Sequence, residues 1–324
     1  MSSNNVTRPC LQRRDTAVEA VLRRAELAAC IERHAPREGV FSTPIPRLSL
    51  IRVHRMDHPV HAVHEPALCL LAQGSKRVLL GGEAYVYDPA TYLVVSQPLP
   101  VSGQVMNATP ELPYLAIRLQ YDTQELASLL SGMGRQGPSI VQGAYRGVMT
   151  ADVTAPLLDA VLRLVRLLDS PQDIEPLAPP TIREILYRLL TGPCGHRLAQ
   201  GALADSASHR VSRAIDWLRD HYREPLALDR MAEAAHLGLS ALRTHFKSTT
   251  AMSPLQYQQH LRLQAARRLL VTGRLDPASA GRQVGYASAS RFSRDYARMF
   301  GAAPAKDAAR CRQGLHGALP HLGE

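Results

Sequence analysis

Apolar positions along this 324-residue chain follow two periods, and the change between them divides it. From Leu48 to Leu119 they come as alternations or short runs cut by Pro and Gly, which predicts strands rather than helices. The expected strands are Leu48–Arg55, Ala67–Gln73, Lys76–Leu80, Glu83–Tyr87, Thr91–Val95, Val101–Met106 and Tyr114–Leu119. Gly81-Gly82 fits a two-residue hairpin turn, since both positions accept positive φ without steric cost. So many short strands in close succession suggest an antiparallel sandwich or small barrel, a shape that encloses one small ligand.

Helical spacing governs the rest. Val18, Val21, Leu22, Ala25 and Ile31 predict a helix capped by Asp15 and stopped by Pro36 and Gly39. Further helices are expected at Thr123–Leu130, Ala155–Leu168 and Thr181–Leu190, the last with Thr181 and Glu184 in capping-box spacing and Gly192 beyond its end. Residues 192–208 mix Gly, Pro, Ala and Ser without a clear apolar stripe and read as a domain boundary, with Cys194 exposed in it. Beyond it the chain is helical nearly throughout. A long helix runs from the Ser253 cap, with Pro254 at its first position, to Leu270, with Gly273 beyond its end.

Two segments flank that long helix, and each reads as a short helix, a tight turn and a second short helix. They are LDRMAEAAHLGLSALRTHFK from Leu228 to Lys247 and AGRQVGYASASRFSRDY from Ala280 to Tyr296. Helix-turn-helix units place their second helix in the DNA major groove. In the first unit Leu239, Leu242 and Phe246 make an inward stripe, while Ser240, Arg243, Thr244 and Lys247 face out. Arg binds guanine bidentately and Lys acts as a point charge for phosphate. In the second unit Phe292 and Tyr296 repeat Leu242 and Phe246, and the outward set becomes Ser290, Arg291, Arg294 and Arg298. The first face is the more polar, so it is expected to carry most base discrimination and the second to anchor on phosphates.

Charge supports a polyanionic partner for this region only. Residues 205–312 hold 18 Lys and Arg against 9 Asp and Glu, whereas residues 1–204 hold 20 against 18. The five cysteines, Cys10, Cys30, Cys69, Cys194 and Cys311, have neither metal nor disulfide spacing, so reduced thiols are expected. No apolar run reaches membrane-spanning length and the first residues lack a signal-peptide core, which predicts a cytoplasmic protein.

Residues 211–310 resemble the DNA-binding domain of AraC/XylS-type bacterial transcription regulators. The resemblance is carried by LDRMAEAA, LSALRTHFK, SPLQYQQHLRLQAARRLL and VGYASASRFSRDYARMFGAAPA. EPALCLLAQGSKRVLLGGEAYVYDPATYLVVSQPLPVSGQV and REILYRLLTGP extend it to a subgroup with a cupin-like effector domain, covering about residues 45–310. The family implies two units entering successive major grooves, with Ser240, Arg243 and Thr244, then Ala289, Ser290, Arg291 and Arg294, as base-reading candidates. Gly238 stands where the family's cap is usually Ser, and Gly281 where Ala is usual; the latter is expected to loosen its helix by up to about 1 kcal/mol. Ala289 offers only a methyl contact.

The β region holds three groups of chemical interest. His54, His58, His61 and His64 with Glu65 invite a metal, but HPVHAVHEP lacks the tight HxH pair of metal cupins, so no metal or cofactor is expected. Tyr85 and Tyr87 share a strand face and Tyr92 follows; they either line an effector pocket or pack as core. Cys69 lies mid-strand, either as a small buried hydrophobe or, if exposed near Lys76 and Arg77, as a thiolate sensing electrophiles.

The expected fold is therefore α+β: an antiparallel, cupin-like β-barrel with flanking helices, then an all-α domain of two helix-turn-helix units. The expected divisions are a tail and helix (1–40), an effector domain (41–192), a linker (193–208), a DNA-binding domain (209–312) and a tail (313–324). The function expected is a sequence-specific transcription regulator, not an enzyme. Its partners are an operator in double-stranded DNA and a small effector, with a homodimer and RNA polymerase implied by the resemblance. A metal-cupin enzyme with a DNA-binding appendage is the alternative, and a sequence-blind architectural binder is a third reading.

Overall fold

The computed structural model describes residues 8–56, 58–134, 137–138, 145–203, 206–273 and 275–314, with side chains considered from 18 to 312. Its strands are β1 (Gly39–Ser42), β2 (Leu48–Val53), β3 (Val60–His64), β4 (Ala67–Gln73), β5 (Ser75–Leu80), β6 (Glu83–Tyr87), β7 (Thr91–Val95), β8 (Leu99–Met106), β9 (Tyr114–Gln120) and β10 (Val148–Asp152). They form a six-stranded sheet in the order β1-β2-β9-β4-β7-β10 and a four-stranded sheet in the order β3-β8-β5-β6. Every pairing is antiparallel.

Burial explains the patterns. β4 and β7 are nearly continuous apolar runs because helices cover one face of their sheet and the second sheet covers the other. β5 and β6 alternate because their outer face meets solvent. The Gly81-Gly82 hairpin forms as expected, with φ of 56° and 97° between Leu80 and Glu83. Strands β1, β3 and β10 lay outside the sequence expectation. In β3, VHAVH, histidines blur the apolar alternation, and β10 is specified by its partner β7 through Val148↔Val95 to Asp152↔Thr91.

The helices are α1 (Arg8–His34), α2 (Thr123–Met133), α3 (Ala155–Arg166), α4 (Ile174–Thr191), α5 (Gly195–Ala202), α6 (Ala207–His221), α7 (Leu228–Ala234), α8 (Leu239–Thr250), α9 (Pro254–Val271), α10 (Pro277–Gln283), α11 (Ala289–Phe300) and α12 (Pro304–Gly314). Three expectations are corrected here. Asp15 lies inside α1 and is not its cap. Thr181 lies inside α4, two turns after its start, and its hydroxyl donates to the Leu177 carbonyl at 2.7 Å instead of capping. The buried stripe Ile174, Ala178, Ile182, Ile185 outweighs the backbone donors lost at Pro179 and Pro180, so the helix starts earlier than its capping signal. Within 192–208, α5 buries Leu198, Ala199 and Ala202, and Cys194 is buried rather than exposed.

Three cores result. One lies between the six-stranded sheet and α1 to α5. A second fills the space between the sheets and continues into α6, α7, α8 and the start of α9. The third, built around Phe292, Tyr296 and Phe300, is formed by α9 to α12, with Tyr222 at the end of α6 packed against it.

Candidate functional site

Each helix-turn-helix unit is shaped by a few local devices. In the first, Leu242 and Phe246 are fully buried, and Phe246 meets Tyr257 of α9 edge to face, with ring centroids 5.4 Å apart. Gly238 begins α8 without a side-chain cap. In the second, Asp276 caps α10 by accepting from Ala278 and Ser279 N–H, and Ser288 caps α11 by accepting from Arg291 N–H. The spacer α9 carries a complete capping box between Ser253 and Gln256.

Ser240, Arg243, Thr244 and Lys247 of α8 are exposed, as are Ala289, Ser290, Arg291, Arg294 and Arg298 of α11. Their charges are not equally available. The Asp295 carboxylate, itself buried, lies 2.6 Å from Arg298 and 3.8 Å from Arg291, so two of the three α11 arginines are drawn to one acid. Arg294, like Arg243 and Lys247, makes no ion pair with a described residue.

Gly281 corrects the expectation that it merely loosens its helix. A Cβ built there would lie 2.9 Å from the Phe292 ring, so the missing side chain is what lets α11 close on α10. Below, Asp307 has no exposed surface and accepts from Arg267 at 2.8 Å, Arg310 at 2.7 Å and the Tyr296 hydroxyl at 2.9 Å. Burial opposes ionisation of Asp307, but these donors overcome it and hold the carboxyl below the ordinary carboxylate range.

The first unit is tied to the β domain. Arg146 forks onto Glu83 of β6, with Nε at 2.8 Å, and also donates to the Lys247 carbonyl at 3.1 Å and to the Ser248 carbonyl near the end of α8. These are helix-terminal carbonyls, which favour a cation. Gly147 N–H donates to the Thr249 carbonyl at 3.0 Å, Tyr257 hydroxyl to the Pro98 carbonyl at 2.7 Å, and Arg219 pairs with Glu65 at 2.8 Å. The second unit meets the β domain through His61, whose ring stands edge-on to Phe300 at 5.3 Å.

The space between the sheets holds the second group of candidates. Cys69 of β4 and Tyr87 of β6 face it, joined by Tyr114 and Arg118 of β9, Lys76 of β5 and His64 of β3. Tyr85 shares the face of Tyr87 but lies at the rim, its hydroxyl donating to Glu83 at 2.9 Å; burial and that carboxylate push it up to about 12. Tyr92 is a correction: strand alternation turns it to the helix side, into the core beside Cys194, away from the other three. Burial pushes the Cys69 thiol up despite Lys76 and Arg118, so a standing thiolate sensor is disfavoured and a lining role remains.

The histidines diverge. His54 accepts from Arg52 at 3.1 Å, His61 meets Phe300, His64 faces the interior and Glu65 pairs with Arg219. No group of three or more metal-ligating side chains gathers among the described residues. No helix among them is long and apolar enough to cross a membrane.

Residues 44–197 match the family model described as AraC-type transcriptional regulator N-terminus, and residues 231–310 match a helix-turn-helix domain. The HTH-type transcriptional activator RhaS of Escherichia coli O139:H28 is 27% identical over 264 residues, spanning 82% of this chain and 92% of RhaS. Among solved structures, an apo single-substitution variant of ToxT from Vibrio cholerae strain SCE256 aligns with a TM-score of 0.54 at 12% identity, covering 84% of this chain and 99% of ToxT. Wild-type ToxT solved with a bound unsaturated fatty acid aligns with a TM-score of 0.52 at 11% identity, covering 81% of this chain and 94% of ToxT. The likeness to ToxT is one of fold.

Proposed function

The chain belongs to the AraC/XylS family of bacterial transcription regulators, and we propose that it reads an operator through α8 and α11 while an effector in the β domain biases how those helices engage DNA. The observation that carries this reading is the double state of α8. Its face, Ser240, Arg243, Thr244 and Lys247, is open to solvent, while the carbonyls at its far end are held by Arg146 of the β domain. A change in the β domain that moves Arg146 or Glu83 therefore acts on a recognition helix directly. In this reading residues 41–192 sense and 209–312 bind DNA. The segment 193–208, carrying α5, is a packed joint; the working form is a homodimer that contacts RNA polymerase.

Base reading is assigned to Ser240, Arg243 and Thr244 in α8, and to Ser290 and Arg294, with a methyl contact from Ala289, in α11. Lys247, Arg291 and Arg298 hold phosphates. Arg243→Ala weakens specific binding by about 1–3 kcal/mol and relaxes one base position. Lys247→Ala lowers affinity evenly across sequences and flattens its salt dependence. Footprinting on the protein's own upstream DNA, followed by competition with random DNA, checks both. Equal losses on operator and random DNA for Arg243→Ala remove its base-reading role.

A further inference from the structure

Lys76 is one of only three lysines in the chain, with Lys247 and Lys306, and it points into the protein. On β5 it shares the inward face of Val78 and Leu80, opposite Tyr87 of β6 and Val105 of β8. Its stem crosses Gly103 of β8: a Cβ built at that glycine would lie 2.9 Å from Lys76 Cε and 3.5 Å from Nζ, so the lysine occupies space that any other residue there would fill. From the facing sheet, Arg118 of β9 enters the same interior directly opposite Cys69. His64 enters from β3.

This cluster is electrostatically incomplete. Lys76 and Arg118 make no hydrogen bond or ion pair with any described residue. Arg118 Nε and His64 Nδ1 have no exposed surface and no partner. Burial and then the two cations push the His64 imidazole down to about 3, so it stays neutral. The groups felt by Lys76 are Cys69, whose thiol is itself pushed up by burial, and Arg118; no carboxylate is among them. Buried cations without a counter-charge are costly, and an anion placed between them recovers that cost through charge-assisted hydrogen bonds. Lys76, Arg118 and His64 are each half-buried as residues. The remaining walls, Leu71, Val78, Val101, Tyr87 and Tyr114, are apolar or aromatic.

We propose that the interior of the β domain binds an organic carboxylate, its carboxylate between Lys76 and Arg118 and its apolar body along the Tyr87 and Tyr114 walls. This rests on the reading of the β domain as the effector domain and names the chemical class of the effector. A carboxylate suits the site: its two oxygens can each accept from one of the two cations, whereas the apolar walls would leave the further oxygens of inorganic phosphate short of donors.

The test is calorimetric titration of the full-length protein with octanoate and benzoate, with octan-1-ol and benzyl alcohol as neutral counterparts, and with inorganic phosphate. The carboxylates bind at millimolar concentration or below, and the alcohols and phosphate bind about tenfold or more weakly. Lys76→Met and Arg118→Leu lose carboxylate affinity by about tenfold or more, with unliganded Tm unchanged or raised because an unpaired buried charge is gone; Lys76→Arg retains binding. Alcohols binding as well as carboxylates, phosphate binding as well as octanoate, carboxylates failing to bind, or both variants binding like the wild type would each overturn the proposal. The comparison of acid with alcohol uses the wild-type chain, so it holds whether or not a variant folds. Operator affinity measured with saturating octanoate separates this proposal from the effector reading. Lys76-dependent binding with no change at the operator leaves the anion site standing and removes its effector role. Equal binding of octanol that does shift operator affinity does the reverse.

Discussion

The two helix-turn-helix units have the same design and opposite attachments. The first shares a continuous core with the interior of the β domain and is fastened by Arg146, Tyr257 and Arg219. The second has its own core, organised by Asp307 and the Phe292–Tyr296–Phe300 stack, and touches the β domain through His61. The same motif is therefore built into the core of the β domain in one place and carries a core of its own in the other. What distinguishes them is which surface each was given to bury, a matter of packing rather than of motif.

The second unit is most readily undone at Asp307. Asp307→Ala strands Arg267, which is only partly exposed, and lowers the stability of the second unit by about 3 kcal/mol, near the low end for a broken buried pair. Two separate denaturant transitions are expected, with the β domain and first unit unfolding as before. A single shifted transition means the units are not independent.

Acid should act next, and selectively. Burial, then Arg267 and His260, push His61 down to about 4, with Asp307 opposing. A depressed imidazole contributes stability that is whole above its unfolded pKa of about 6.5 and is lost as pH falls toward the folded value. The contact with Phe300 should therefore weaken by roughly 1–2 kcal/mol between those limits, discounted for partial exposure. Proteolysis of the second unit that rises below about pH 6 in the wild type and not in His61→Phe checks this.

Two smaller changes sharpen the contrast. Tyr257→Phe leaves the Pro98 carbonyl without its donor and costs about 1 kcal/mol, paid where the β domain and first unit meet, so thermal melting of that body shifts while the second unit's does not. Gly281→Ala improves helix propensity but drives a methyl into Phe292, and a net loss of about 1 kcal/mol is expected. A stabilised Gly281→Ala protein would show that the ring yields.

Much of this was legible in one dimension because the devices involved are local. The Ser253 cap, the Gly81-Gly82 hairpin and the paired stripes Leu242/Phe246 and Phe292/Tyr296 depend on neighbours within a few residues, so spacing reveals them. Apolar period distinguished strand from helix for the same reason. Tertiary structure decided the rest. It drew α4 back through two prolines to Ile174, turned Tyr92 away from Tyr87, and gave Asp295 a share of the α11 arginines. It also gathered Lys76, Arg118 and His64 from three strands of two sheets into one interior. Burial and electrostatic pairing are properties of what lies across a core, and residues that meet there are tens of positions apart in the chain. Sequence therefore determined that this chain carries two helix-turn-helix units. Only the fold determined which of them is fastened to the β domain, and left two cations there in one interior without an acid among the described residues.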